Sequence, residues 1–224
     1  MIKSAMKALG NRARTQRAAF LKNLISFDPN LSILDLGGGD GSHVAKVFPG
    51  RRNITICDYA EADLKVARQK YGFNTVLADG TGRLPFSDKE YDFVFCSSVI
   101  EHVTGPKKIA TSNRSTKSFQ QDAYRYQAAF SEEIKRIARS YYVQTPHRYF
   151  ILESHSWLPL PLGLMPRPIL IPLLRLSGRI LKPTEPDWNL LTPGQMKSLF
   201  PDADIYIERF SGWPKSIMAV KRFD

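Results

Sequence analysis

Four glycines fall within five residues, between a short apolar run and the start of an amphipathic helix pattern. The apolar run spans Ile33 to Leu36 and is broken only by Asp35, and the glycines occupy Gly37 to Gly41 with Asp40 among them. From Ser42 onward, apolar residues recur at helical spacing. Glycines let a ligand approach the backbone closely, and a helix N-terminus offers unpaired N–H groups beside it. The sequence therefore predicts a strand, a ligand-binding loop and a helix.

The spacing of this loop excludes two common nucleotide sites. No Gly-Lys-Ser/Thr follows the glycines, so the loop is not a Walker phosphate loop. A dinucleotide fingerprint, G-x-G-x-x-G, fits at Gly37 and Gly39 but has Ser42 in the third position. The remaining D-x-G-x-G pattern has Asp35 inside the strand, where a carboxylate suits an ammonium group better than a pyrophosphate. An ordinary glycine-rich turn without a ligand is the alternative.

Strand and helix patterns alternate along the rest of the chain. Further strands are predicted at 53–57, 75–78, 91–96, 141–145, 203–210 and 216–221, and helices at 60–71, 119–139 and after Thr192. Alternation predicts a parallel, doubly wound sheet with right-handed crossovers, and the tight turn near 212–214 makes the last two strands antiparallel. We predict one α/β domain over residues 1–224. Its Rossmann-like sheet has seven strands, mostly parallel with a C-terminal antiparallel hairpin strand, and helices on both faces.

In such a sheet the ligand lies across the carboxyl ends of the strands, so the residues just past each strand matter most. Asp58 ends the second predicted strand, where a carboxylate can accept both hydroxyls of a ribose. Asp79 and Gly80 follow the third, where an adenine edge can be bound, and Ser97 follows the fourth.

Further motifs support a family resemblance. The glycine loop, Leu84-Pro85-Phe86-Ser87-Asp88, Tyr91-Asp92-Phe93-Val94 and Val99-Ile100-Glu101-His102-Val103 together resemble the type 11 group of class I S-adenosylmethionine-dependent methyltransferases. The resemblance covers residues 31–146 well and 190–222 more loosely. It implies an enzyme that transfers the methyl group of S-adenosylmethionine to a small-molecule acceptor. An apolar segment at 155–185 beside a basic surface favours an oxygen of a hydrophobic, lipid-linked or sugar-containing metabolite as that acceptor.

The resemblance also implies roles for single residues. By it, Asp35, Gly37 and Gly39 hold the methionine part of the cofactor and Asp58 the ribose. Asp79 and Gly80 hold the adenine, and Ser97 or its backbone faces the sulfonium. Tyr59, beside Asp58, belongs to the same predicted cofactor-binding set.

His102 is the predicted catalytic residue, because an imidazole has a pKa suited to a general base. The alternative is that His102 only orders a helix start beneath the ligand. Ubiquinone-type O-methyltransferases carry E-x-x-E-H here, a stretch associated with a divalent metal, but this chain has Ser98 in place of the first acid. Glu101 and His102 alone are an incomplete site, so a metal is disfavoured. Weaker acceptor-side candidates are His147, Tyr149 and His155, whereas His43 is predicted to be structural.

The net charge of the chain limits the kinds of partner it can bind but does not identify one of them. The net charge is +11, from 32 Lys and Arg against 21 Asp and Glu, which favours acidic partners: anionic metabolites, an anionic membrane surface or nucleic acid. Nucleic acid is disfavoured, since no Asn/Asp-Pro-Pro-Tyr/Phe tetrapeptide is present.

Residues 1–30 are predicted to be a basic helix packed on the domain, and they lack the apolar core of a signal peptide. A transit peptide is the alternative. Cys57 and Cys96 are predicted to be buried thiols in a reducing cytoplasm.

Two segments are predicted to border the acceptor. Residues 103–117 are polar and basic and predicted to be a surface loop or lid. Residues 155–185 form a proline-rich apolar insertion, either a lid over the substrate or a surface that contacts a membrane or partner. A protein of another class, which binds the cofactor without catalysis or serves as a membrane-associated accessory subunit, stays open.

Overall fold

The computed structural model describes residues 2–78, 83–150, 162–179 and 183–223, with side chains from residue 10 onward. The strands are β1 Ile33–Leu36, β2 Ile54–Asp58, β3 Asn74–Leu77, β4 Tyr91–Ser97, β5 Ala138–Pro146, β6 Asp204–Phe210 and β7 Trp213–Lys221. The helices are α1 Ile2–Leu24, α2 Ser42–Val47, α3 Glu61–Tyr71, α4 Lys107–Ser112, α5 Thr116–Ile137, α6 Arg167–Ser177 and α7 Pro193–Leu199. Short 3₁₀ helices span Ile100–His102 and Leu162–Leu164.

These strands form one sheet in the order β3-β2-β1-β4-β5-β7-β6. The first five strands are parallel, and β7 runs antiparallel between β5 and β6. The parallel strands bring the residues after β1, β2, β3 and β4 to one edge. The predicted fold class, with its C-terminal antiparallel strand, is therefore confirmed.

Each face of the sheet packs against its own helices because successive side chains of a strand point to opposite faces. On β4, Val94 and Cys96 belong to a core with Ile134 of α5 and Met196 of α7. The alternate positions Phe93 and Phe95 belong to a second core, which includes Leu21 of α1, Val44 of α2 and Leu64 of α3. Both cysteines are buried free thiols, as the sequence predicted.

The N-terminal basic segment is helical and packs on the domain as predicted. Leu21 is fully buried and Phe20 meets Tyr206 edge to face with ring centroids 5.1 Å apart, whereas Arg12 and Arg14 are exposed. An ion pair of 2.8 Å between Arg17 and Glu208 ties α1 to β6. Arg12 and Arg14 of the helix therefore face solvent, whereas Arg17 is largely buried in its ion pair.

The prediction of a loop over residues 103–117 is wrong for Lys107–Ser112, which form α4, and α5 already begins at Thr116. A distant residue explains this helix. Arg167 of α6 donates from Nη2 to the carbonyl of Ala110 at 2.5 Å and from Nε to that of Asn113 at 2.6 Å. These bonds satisfy carbonyls at the end of α4.

The apolar insertion predicted at 155–185 lies partly outside the described residues, since 151–161 and 180–182 are not among them. Its described part includes α6, whose Leu170, Ile171 and Leu174 are buried. No described helix is both long and apolar enough to cross a bilayer.

Candidate active site

The glycine loop after β1 adopts a conformation that its sequence permits. Gly37 has a φ of +74° and donates its N–H to the carbonyl of Cys57 at 2.8 Å. A Cβ at Gly37 would overlap the side chain of Val99, whereas a Cβ at Gly39 (φ +52°) would find its nearest neighbour 3.9 Å away. Gly37 is thus required by conformation and packing together, and the backbone at Gly39 is open to a ligand.

Asp35 lies directly beneath this loop, because a Cβ at Gly38 would overlap its Oδ2 atom. The carboxyl is buried, and Oδ2 has no hydrogen-bond partner among the described residues. Burial and, second, the charge of Asp58 raise the pKa of Asp35 to about 8. A buried oxygen without a partner, where negative charge is disfavoured, is stabilised by a cationic group nearby. The loop and Asp35 therefore fit the ammonium end of a ligand.

Asp58, at the end of β2, is fixed by backbone donors. Its Oδ2 accepts the N–H of Gly39 at 2.8 Å and its Oδ1 accepts the N–H of Ala60 at 3.0 Å. Each carboxylate oxygen accepts more than one hydrogen bond, so both keep capacity for hydroxyl donors. The neighbouring Tyr59 is 78% exposed. The arrangement holds a carboxylate and an aromatic ring side by side at the tip of the strand.

A cavity of about 210 Å³ opens between the strand tips and the following helices. Its lining residues are Leu36, Gly37, Cys57, Asp58, Tyr59, Ala78, Leu84, Val99, His102, Val103, Thr104, Gly105, Tyr126 and Phe130. Four predicted site residues therefore share one cavity: Gly37, Asp58, Tyr59 and His102. Asp79 and Gly80 lie outside the described residues, although their neighbour Ala78 is part of the wall.

Ser97 is not among the residues that line this cavity. Its hydroxyl donates to Oε1 of Gln144 at 2.8 Å, and the hydroxyl of Ser98 approaches the same oxygen at 3.2 Å. Ser98 has a φ of +60°, a conformation that costs a non-glycine residue on the order of 1 kcal/mol or more. The two hydroxyls form a polar cluster at the junction of β4 and β5.

His102 pairs with a carboxylate that the sequence did not indicate. Its Nδ1 lies 3.3 Å from Oδ1 of Asp187, 85 residues further along the chain. Burial opposes ionisation of Asp187, but the hydrogen bond and charge of His102, together with Lys107, lower the pKa of this carboxyl. The one local signal for Asp187 was its place in the first acidic stretch after the acid-free residues 154–184.

Glu101 does not complete a metal site with His102. It is fully buried, and its backbone carbonyl accepts the N–H of Asn189 at 2.7 Å. Across the parts of the chain that the structure describes, no three His, Cys, Asp or Glu side chains are grouped to hold a metal ion.

The remaining histidines lie apart from the cavity or outside the described residues. Nδ1 of His147 accepts the N–H of Tyr149 at 3.1 Å, and burial lowers the pKa of this imidazole. His43 meets Phe95 edge to face, and burial, with the charges of Arg14 and other basic residues, lowers its pKa to about 4. His43 is therefore a neutral packing residue at physiological pH. His155 is outside the described residues.

The chain around Asp187 is fastened by buried polar contacts. Gln127 of α5 donates to the carbonyls of Ile100 and Asn189, both at 2.9 Å, and accepts from Asn189 Nδ2 at 2.9 Å. Arg167 is buried, donates to the carbonyl of Pro186 at 2.9 Å and stacks 3.7 Å from the centroid of the Phe119 ring. Burial lowers the pKa of its guanidinium to about 10. These contacts join the insertion to the wall that carries His102.

Comparison with known proteins agrees with this geometry. Residues 34–118 match a family model described as a methyltransferase domain, of the type 11 group. A ubiquinone biosynthesis O-methyltransferase of Hydrogenovibrio crunogenus is 31% identical over 100 residues, which are 42% of this chain and 40% of that protein. The chain thus matches less than half of the length of this curated relative.

Solved methyltransferase structures share the fold. Magnesium protoporphyrin IX methyltransferase of Synechocystis with bound SAH covers 99% of this chain and 87% of its own, at 14% identity and a TM-score of 0.56. The match to an S-adenosylmethionine-dependent methyltransferase of Mesorhizobium loti covers 90% of this chain and 95% of that protein, at 14% identity and a TM-score of 0.54. The family match over residues 34–118 agrees with the resemblance found in the sequence, and the solved structures agree with the predicted fold.

Proposed function

We propose that this chain, whose residues 34–118 match a methyltransferase family model, transfers a methyl group from S-adenosylmethionine to an oxygen of a small-molecule acceptor. The observation that carries the proposal is the arrangement around the glycine loop. The buried carboxyl of Asp35 lies beneath it, with an Oδ2 atom that has no hydrogen-bond partner among the described residues, and the carboxylate of Asp58 borders the cavity beside it. S-adenosylmethionine carries an ammonium group and a ribose, the two groups that these carboxyls would bind.

The roles of the cofactor-binding residues follow from this arrangement. Asp35 would oppose the ammonium group from beneath Gly37 and Gly39. Asp58 would accept the ribose hydroxyls, and Tyr59 would cover the sugar or base with its exposed ring. Asp79 and Gly80 keep their proposed role at the adenine, and Ser97 its proposed role near the sulfonium. No metal is part of the proposal.

The sulfonium supplies an activated methyl group, so the protein has to position the acceptor, exclude water and remove a proton. His102 lines the cavity and is the proposed general base for an acceptor hydroxyl. The apolar side chains of Leu84, Val99 and Phe130 line the same cavity and would exclude water.

The acceptor proposed here is a hydrophobic, lipid-linked or sugar-containing metabolite. The apolar cavity wall and the apolar insertion favour hydrophobic bulk, and the net charge of +11 tolerates an anionic group. The comparison protein from H. crunogenus, by its name, methylates an oxygen in ubiquinone biosynthesis, which is consistent with such an acceptor.

A single assay would distinguish this function from two others, nucleic-acid methylation and cofactor binding without catalysis. The chain would be incubated with methyl-labelled S-adenosylmethionine and with three fractions: a lipid extract, a polar metabolite pool and nucleic acid. Label in the lipid or polar fraction is the expected result, and label in nucleic acid would replace the small-molecule proposal. Saturable S-adenosylhomocysteine binding without transfer to any fraction would favour a non-catalytic cofactor-binding protein and contradict the enzyme proposal.

We also propose that α6 makes a peripheral contact with an anionic membrane. Leu164, Ile169 and Leu176 are exposed in this region, and the exposed Arg175 and Arg179 lie among them. No acidic residue occurs from 154 to 184. Apolar side chains flanked by arginines suit the boundary of an anionic bilayer.

Liposome flotation tests this contact. The wild type should float with anionic vesicles more than with neutral ones, and the double variant Ile169→Asp/Leu176→Asp should not. Ile207→Asp, which charges an exposed apolar residue of β6, is the control and should float like the wild type. Equal flotation of the double variant and wild type would contradict the contact and leave the lid interpretation of the insertion.

A further inference from the structure

We propose that Asp187 is a positioning residue for His102: it holds the imidazole with Nδ1–H toward its carboxylate, so that Nε2 is the nitrogen that accepts a proton. This inference rests on the proposed function, because it concerns the same site. The distance from His102 Nδ1 to Asp187 Oδ1 is 3.3 Å. The His102 side chain is 40% exposed and that of Asp187 is 21% exposed, so solvent screens the pair only in part.

The backbone around Asp187 is fixed from several directions. The hydroxyl of Thr104, two residues after His102, donates to the carbonyl of Asp187 at 2.7 Å. On one side Arg167 binds the carbonyl of Pro186, and on the other the N–H of Asn189 binds the carbonyl of Glu101. The carboxylate therefore sits on a short segment bonded directly to the turn that carries His102. Such support is what an orienting carboxylate requires.

The proton and electron balance of the transfer is complete with this pair. As the bond between the acceptor oxygen and the methyl carbon forms, the bond between carbon and sulfur breaks, and its electron pair stays on sulfur. The acceptor proton passes to Nε2 of His102, and the carboxylate of Asp187 stabilises the resulting imidazolium. The imidazole then returns the proton to solvent, to which its side chain is 40% exposed.

Other ionisable groups surround the imidazole and contribute to the electrostatic potential around it. Those on the neighbouring elements are Glu101, Lys107 and Glu185, and those that line the same cavity are Cys57, Asp58, Tyr59 and Tyr126. Lys107 pairs with Glu185 at 2.8 Å, and its charge also acts on Asp187, where it helps to lower the pKa of the carboxyl. Because Asp187 closely follows the insertion, the contacts that Arg167 of α6 makes also help to hold Asp187 beside His102.

Nuclear magnetic resonance of the imidazoles tests this pairing without knowledge of the acceptor. The ¹⁵N-labelled full chain would be titrated with pH, with His102→Gln identifying the His102 signals. In the wild type the Nδ1–H tautomer of His102 should dominate. In Asp187→Asn the titration midpoint of His102 should fall by about 0.5 to 1 pH unit and the tautomers should mix, because a nearby negative charge has been removed. Asp187→Glu should restore part of both effects.

The matched control is Asp204→Asn, which removes an exposed acid of β6 that pairs with Arg222 and should leave the His102 titration as in the wild type. A dispersed amide spectrum of Asp187→Asn would establish that the variant is folded. A midpoint and tautomer in Asp187→Asn equal to those of the wild type would overturn the inference. Absence of S-adenosylhomocysteine binding by the wild type would instead refute the proposed function, and the two failures are thus distinguishable.

Discussion

The two sides of the cavity are built in different ways. The cofactor side joins residues close in the chain, since the carboxylate of Asp58 accepts the N–H of Gly39, 19 residues earlier. The acceptor side joins His102 to Asp187 across 85 residues. One side is formed by strand ends that the sheet aligns. The other is linked to the α6 insertion, because Arg167 donates to the carbonyl of Pro186 beside Asp187, so the two sides should respond differently to mutation.

The largest effect is expected on the docked side, for Arg167→Met. Three backbone carbonyls, of Ala110, Asn113 and Pro186, would lose their buried donor. The free energy of unfolding should fall by about 3–4 kcal/mol, measured by urea denaturation. Arg175→Met, an exposed change on the same helix, should stay within about 0.5 kcal/mol of the wild type. Equal stability of the two variants would show that the insertion is not held by Arg167.

On the cofactor side, Asp58→Ala should weaken S-adenosylhomocysteine binding by about 30- to 100-fold, or roughly 2–3 kcal/mol. The change removes the proposed ribose acceptor and leaves the N–H of Gly39 without its partner. Isothermal titration calorimetry measures this, and Asp122→Ala, an exposed change on α5, is the control. Unchanged binding in Asp58→Ala would mean that the cofactor-binding residues are assigned incorrectly.

A pair of glycine variants sharpens the comparison within the cofactor side. Gly37→Ala should cost about 2 kcal/mol of unfolding free energy, because the new Cβ is strained by φ and overlaps Val99. Gly39→Ala introduces the same kind of backbone strain but no steric overlap, and should cost about 1 kcal/mol of unfolding free energy. Adding Val99→Ala should improve Gly37→Ala relative to the sum of the single changes. Additive costs would show that packing at Val99 does not restrict the loop.

The smallest effect is a pH dependence set by Asp35. Since burial raises its pKa to about 8, the carboxyl is protonated at pH 6, and a bound ammonium group would require the ionised form. Binding of S-adenosylhomocysteine should therefore release a proton and tighten by up to roughly tenfold from pH 6 to 7. Asp35→Asn should bind with a flat profile over this range. A wild-type profile as flat as that of the variant would contradict the proposed ammonium site.

The difference between the cofactor side and the acceptor side of the cavity also explains how much the sequence predicted. Periodicity and glycine placement predicted the seven described strands, the parallel direction of the first five and the joint position of Gly37 and Asp58, because these depend on local pattern and on how parallel sheets align their ends. Tyr59 and His102 also share that cavity, which the strand-end argument and the family resemblance anticipated.

What the sequence did not predict depends on distant partners. The segment 107–112 is polar and short, and its helix is completed by a guanidinium more than 50 residues away. Asp187 was missed for the same reason, since nothing near it in the chain indicates an imidazole. The bond from the Ser97 hydroxyl to Gln144 was not predicted either, because its partner lies on the neighbouring strand β5, and the role of Ser97 near the sulfonium stays a prediction.

The reciprocal hydrogen bonds between Gln127 and Asn189 have an evolutionary consequence. Gln127 Oε1 accepts from Asn189 Nδ2, and Gln127 Nε2 donates to the backbone carbonyls of Ile100 and Asn189, so an apolar residue at position 127 would leave buried polar groups without partners. Position 127 should therefore keep a side-chain amide in descendants of this sequence. The exposed residues of α6 are freer to diverge, and a lineage could acquire a new acceptor by altering the insertion while inheriting the cofactor side unchanged.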